Sequence, residues 1–119
     1  MFLKLAHTKL HAFEQSKIFT LECYRVSKLL PAEEKFGMVQ QIRRAALSVH
    51  LNLAEGASRK SLAERKRFFE ISRGSLIEVD TAMDIACHLD YLKTEDVTKL
   101  GEAIINTFKL ISGLIAHEG

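Results

Sequence analysis

Proline is almost missing from this sequence: Pro31 is the only one, and glycine occurs six times in 119 residues. Breakers this sparse leave few places for turns, so a few long elements are expected rather than many short ones. Long apolar runs are missing too, since none approaches the roughly 20 residues a helix needs to cross a bilayer. The opening MFLKLAHTKLH has no continuous apolar core and no small-residue cleavage site. It argues against a secretory leader, and no membrane partner is expected. Cysteine is limited to Cys23 and Cys87, far apart, in no Cys-x-x-Cys unit, and on apolar helical stretches. They read as reduced core thiols of a cytoplasmic protein. Signatures of catalysis are lacking as well. There is no Gly-rich phosphate loop, no Gly-x-Ser-x-Gly and no His-Glu-x-x-His. His7 and His11 have i, i+4 spacing but no third ligand nearby, and His50, His88 and His117 stand alone. Glu78, Asp80 and Asp84 fall on different helix faces and do not make the Glu-x-x-His pairs of metal-binding bundles. These absences argue against an enzyme, and no metal or cofactor is expected.

What is present is 47% apolar and 27% charged residues, the profile of a soluble globular chain forming one domain over residues 1–119. Its punctuation marks four helices, at about 7–29, 32–55, 61–92 and 94–116. Pro31 ends the first and suits the opening turn of the second, where Glu33 and Glu34 complement the positive dipole end. Gly56 supplies a stop. Ser61 and Glu64 have capping-box spacing, and Thr94 before Glu95 and Asp96 caps the last helix. No stretch alternates as a strand does. The connections are short, so the fold class expected is all-α, an antiparallel up-down four-helix bundle.

The second helix carries two apolar faces. Val39, Ile42, Ala46, Val49 and Leu53 follow a 3-4-3-4 spacing and make the core stripe. At 100° per residue, Leu47, Leu51 and Ala54 fall on another face, bordered by Gln40, Arg43 and Arg44. One reading is a wide core stripe; the other is self-association into a homo-oligomer, which would cover the second face. On the third helix, Phe68, Leu76, Val79, Met83 and Ala86 share one side, and Ser72, Gly74 and Ser75 form a small-residue patch. Gly74 is expected to let another helix come close. A hairpin turning near Ser58 would bring Glu78 within reach of Arg43 or Arg44, as an ionic partner.

Charge is unevenly spread. Residues 40–75 hold eight Lys/Arg against three Asp/Glu, and residues 76–119 hold three against eight. Internal complementarity is one explanation, and a basic surface for phosphates is the other. The run ASRKSLAERKR concentrates Arg59, Lys60, Arg65, Lys66 and Arg67 at one turn, the best candidate for nonspecific RNA or DNA contact. Aromatics for base stacking are missing from the turn itself; Phe68 and Phe69 behind it suit a core better.

Several stretches together resemble a known family. They are Tyr24, Pro31 with Glu33-Glu34-Lys35-Phe36-Gly37, Gln41-Ile42-Arg43-Arg44-Ala45-Ala46, Ser48, Asn52 with Ala54-Glu55-Gly56, then Arg73-Gly74-Ser75-Leu76, Glu78 and Thr81. The chain resembles, over nearly all its length, the bacterial four helix bundle protein family, also called the 23S ribosomal RNA intervening-sequence protein family. The resemblance implies an antiparallel four-helix bundle that assembles as a homopentamer. Distantly similar accessory proteins of diversity-generating retroelements bind nucleic acid and a protein partner, which raises the same roles here by analogy. Structural or assembly roles are expected for Arg43, Arg44, Leu47, Leu51, Asn52, Glu55, Arg73, Gly74 and Glu78. Two departures stand out: His50-Leu51 replaces the common Pro-Ser, and Asp80 and Ser72 replace Glu and Ala. The function expected is a non-enzymatic, ring-forming, nucleic-acid-associated accessory protein; the alternative is a protein-interaction scaffold that binds no nucleic acid.

Overall fold

The computed structural model describes residues 1–118. It is all-helical, with α1 over His11–Ser27, α2 over Met38–Ser58, α3 over Leu62–His88 and α4 over Thr94–Glu118. Short 3-10 turns at Ala6–Lys9 and Ala32–Glu34 precede α1 and α2, and no strand occurs among the described residues. Helices α1 and α3 each pack against α2 and α4.

The helix ends differ from the spacing-based bounds for local reasons. Leu10 is extended and separates the first 3-10 turn from α1, so His7 and His11 do not share a helix. After Pro31 the chain makes only a 3-10 turn, and α2 begins at Met38 rather than near residue 32. The Glu34 carboxylate accepts from the Met38 N–H at 3.2 Å, satisfying one of the four donors that open a helix. Its other oxygen accepts from the Tyr91 hydroxyl at 3.1 Å, which ties this connection to the one between α3 and α4. Ser61 caps α3 as expected, its hydroxyl accepting from the Glu64 N–H at 3.0 Å. The Glu64 carboxylate does not complete the box; it lies 4.0 Å from Arg59. Helix α3 stops at His88 instead of Leu92 because Asp90 takes a left-handed φ of 61°. The Asp90 and Tyr91 N–H groups then donate to Cys87 and Ala86 carbonyls, both at 3.0 Å, closing the helix with a Schellman motif.

Gly56 does not stop α2, which continues to Ser58. It is buried, and a Cβ there would lie 2.8 Å from Phe69 Cε1 and 3.1 Å from Phe68 Cβ. The missing side chain is clearance for α3. Phe69, not Phe68, is the fully buried member of that pair.

The expected stripe is inside but for its first residue: Ile42, Ala46, Val49 and Leu53 are fully buried, Val39 is half-buried at the core edge, and Leu76, Val79 and Ala86 of α3 are fully buried. Phe19 and Cys23 of α1 and Leu100 and Ile111 of α4 complete the core. Burial pushes the Cys23 thiol far above its ordinary pKa and keeps it uncharged. Both cysteines are free. Most buried hydroxyls are satisfied; Ser72 donates to the Val49 carbonyl at 2.7 Å, joining α3 to α2. Thr107 is the exception among the described residues, with a buried Oγ1 that has no hydrogen-bond partner. Thr107→Val keeps the shape and removes the unpaired hydroxyl, so it should stabilise the fold by about 1 kcal/mol. A thermal melt that is unchanged or lower would contradict this.

Candidate nucleic-acid and assembly surfaces

Residues 59–61 join α2 to α3, and the five basic residues proposed for phosphate contact cluster around this connection. Two of them serve the fold. Arg65 donates from Nη1 to the Ala57 carbonyl at 3.0 Å and lies 5.6 Å over the Phe69 ring, so it covers the open carbonyl end of α2. Arg59 pairs with Glu55 at 2.9 Å and sits 4.9 Å over the Phe68 ring. Lys60 and Arg67 are exposed and Lys66 is half-buried. No ion pair holds any of these three among the described residues. Of the five, Lys60, Lys66 and Arg67 are therefore the ones that no carboxylate of the described residues holds.

The expected pairing of Arg43 or Arg44 with Glu78 does not form. Arg43 donates from Nε to Ser27 Oγ at 2.8 Å and lies 4.9 Å over the Tyr24 ring, bracing α2 against α1. Arg44 and Glu78 are both exposed. Three contacts set the register of α2 and α3: Ser48 to Ser75 at 2.8 Å, Ser72 to the Val49 carbonyl, and Arg65 to the Ala57 carbonyl. Arg43 leaves α2 toward α1, while Glu78 leaves α3 toward solvent. Asn52 donates to the Ser48 carbonyl and hydroxyl at 2.8 and 3.0 Å, extending the Ser48–Ser75 contact into a small polar patch. Arg73 donates to Ser112 at 3.2 Å and joins α3 to α4.

Leu47 and Leu51, the second apolar face of α2, are 40% and 61% exposed. Ala54, placed on that face by spacing, packs instead against the core edge. Ile71 of α3 is also exposed and shares a helix face with Ser75, four residues on. Nothing among the described residues lies within 4 Å of where a Cβ on Gly74 would stand, so the helix it is expected to admit is not one from its own chain.

His50, which looked isolated in the sequence, is half-buried among other groups. Its Nδ1 lies 2.6 Å from Ser16 Oγ, and its ring stacks on Phe13 at 4.1 Å. Phe13 in turn meets the edge of His7 at 4.9 Å. Ser16 is fully buried, so no substrate reaches this Ser–His contact and it is not a nucleophile–base pair. Burial lowers the His50 pKa below 6.5, and the charges of Lys17 and His7 act in the same direction. The unfolded chain then takes up the proton first. Stability from this site is complete above the unfolded pKa and falls as pH drops below it. Melting temperature should therefore decline on acidification, and less steeply in His50→Gln; equal slopes would exclude His50 as a source.

The 23S rRNA-intervening sequence protein family model matches residues 8–113. The chain belongs to this family. None of the curated proteins compared with it matches significantly. The 23S rRNA-intervening sequence protein match runs through α1, α2, α3 and most of α4, including the basic connection and the Leu47–Leu51 face. In this family member, no three His, Cys, Asp or Glu side chains gather as a metal site among the described residues. No described helix is long and apolar enough to cross a membrane. The partners of Arg43 and His50 lie on α1, a helix away, and no spacing along α2 signals them.

Proposed function

We propose that this protein is a non-enzymatic, self-associating, up-down antiparallel bundle, a cytoplasmic accessory protein that contacts nucleic-acid phosphates through one basic end. The observation that carries the proposal is the cluster of Lys60, Lys66 and Arg67, without ion-pair partners among the described residues, beside two arginines that the fold already uses. Such a cluster attracts polyanions without reading sequence. The family's name ties it to 23S rRNA, which makes RNA the first ligand to try. The antiparallel arrangement is supported by contacts that close on the connecting turn: residues 48 and 75, 49 and 72, then 57 and 65. Self-association is supported by exposed Leu47, Leu51 and Ile71 beside the open Gly74. A homopentamer is the state the family resemblance implies, and a ring would repeat each basic end around its axis.

The scaffold reading draws on the same apolar face, because leucines need an apolar partner and phosphate cannot supply one. Fluorescence anisotropy with labelled single-stranded RNA separates the two readings. Binding at low salt should weaken linearly on a log–log plot, and Lys60→Ala, Lys66→Ala and Arg67→Ala together should flatten the slope by about two. No binding at low salt would leave the scaffold. Light scattering checks the assembly: Leu51→Lys should dissociate it, and a wild-type monomer at micromolar concentration would end the self-association reading.

A further inference from the structure

We propose that residues 1–5 form an arm that docks into the groove between α3 and α4 of a second copy of this chain, an inference that rests on the self-association reading above. Four of the five arm residues are apolar, and Phe2 and Leu3 are 103% and 65% exposed. Apolar area left in water forfeits about 25 cal/mol per Å² relative to burial. The arm leaves a fixed root. The 3-10 turn Ala6–Lys9 packs on α1 and α2, with His7 against Phe13.

The α3–α4 groove has the complementary character. Two adjoining cavities of about 190 and 290 Å³ share Asp80 and Ile104. Leu76, Met83 and Leu100 are buried at its floor, and Ile77, Ile105 and Phe108 stand exposed at its lip. Asp80 and Asp84, four residues apart on α3, share a face rather than lying on different ones as the sequence reading has it, and together supply negative charge along the rim. Lys109 lines the other end of the groove and Arg73 lies 6.0 Å over Phe108 there, so the acidic charge is confined to the Asp80–Asp84 end. Residues 1–9 contain Lys4 and Lys9 and no acid, so the arm is opposite in sign to that end. In an extended segment Leu3 and Leu5 point one way and Phe2 and Lys4 the other. Leu3 and Leu5 then fill the groove, while Lys4 reaches its acidic rim.

The occupant is a second copy because the chain's own arm falls short. Five extended residues span at most about 18 Å. The root sits on the α1–α2 side, the groove opens between the other two helices, and the bundle measures 44 × 29 × 22 Å. A contact of this size is weak alone, and tethering within an assembly raises its effective concentration. The family match begins at residue 8, after the arm.

The test places Leu3→Cys and Ile105→Cys together with Cys87→Ser in the full chain and applies a short bifunctional thiol reagent. Cross-linked dimers and higher species are expected. Leu3→Cys paired with Ile18→Cys, exposed on the α1 that the arm itself borders, should link only within a chain and give no cross-linked dimer. In a second measurement, Ile105→Cys in the Cys87→Ser background should react with a thiol probe about tenfold faster once Leu3→Ser and Leu5→Ser remove the side chains that fill the groove. Light scattering is run on the same samples. An assembled protein with no intermolecular cross-link and unchanged labelling overturns the arm alone. A cross-link confined to one chain also overturns the exchange, and a monomer overturns the self-association reading with it.

Discussion

Phe69→Ala is expected to lower the stability of this protein by about 3 to 5 kcal/mol, a large part of what a domain of this size has. The ring is fully buried where α2 and α3 come closest. Its removal loses the transfer energy of six ring carbons and leaves a void that the surrounding helices cannot collapse around, because Gly56 has no side chain to move in. Arg65 loses its aromatic support at 5.6 Å, which weakens the cap on the α2 carbonyls as well. Urea denaturation measures the loss. Phe69→Leu provides a milder variant should the alanine form fail to fold. A cost below about 1 kcal/mol for the alanine form would mean that the ring is not a core residue.

Gly56→Ala should destabilise by about 1 to 3 kcal/mol, against the ordinary helical preference for alanine over glycine, which is worth about 1 kcal/mol the other way. The new Cβ would lie 2.8 and 3.0 Å from two carbons of the Phe69 ring and 3.1 Å from Phe68 Cβ. The Phe69 ring is enclosed on all sides, so it cannot swing away as the tip of an exposed side chain would. The two helices must separate, and Ser72 and Ser48 would stretch their contacts to Val49 and Ser75. The explanation predicts a coupling. In a Phe69→Leu background the added methyl meets less, so the cost of Gly56→Ala should shrink. An additive double-mutant cycle would show that the glycine is needed for some other reason.

These expectations depend on details that the chain does and does not announce. The core stripe of α2 is legible because Ile42, Ala46, Val49 and Leu53 must share a face once the segment is helical. Ser61 is legible as a cap because its hydroxyl and the Glu64 N–H are three residues apart on the same strand of chain. The exposure of Leu47 and Leu51 follows from the same rotation. Gly56 was readable as a glycine with a purpose, but a helix stop and a close approach carry the same letter. What distinguishes them is a phenylalanine thirteen residues later, seated by the crossing of two helices. The candidate site divides in the same way. Its location at the α2–α3 connection is visible as a run of basic residues, whereas which of them the fold consumes is not. Arg59 and Arg65 find Glu55 and the Ala57 carbonyl through the geometry of the turn.

By itself, the sequence determined the four helices, the core-facing stripe of α2 and most of that of α3, and the basic stretch between α2 and α3. These depend on periodicity, caps and turn chemistry within a few residues of one another. Tertiary structure alone decided that Arg43 faces Tyr24 and Ser27 rather than Glu78, that Gly56 clears Phe69, and that His50 is enclosed by Ser16 and Phe13. The physical reason is that a helix sets the direction of its own side chains. What each one meets is set by the rotation and offset of the neighbouring helix, and those emerge only when the whole core packs.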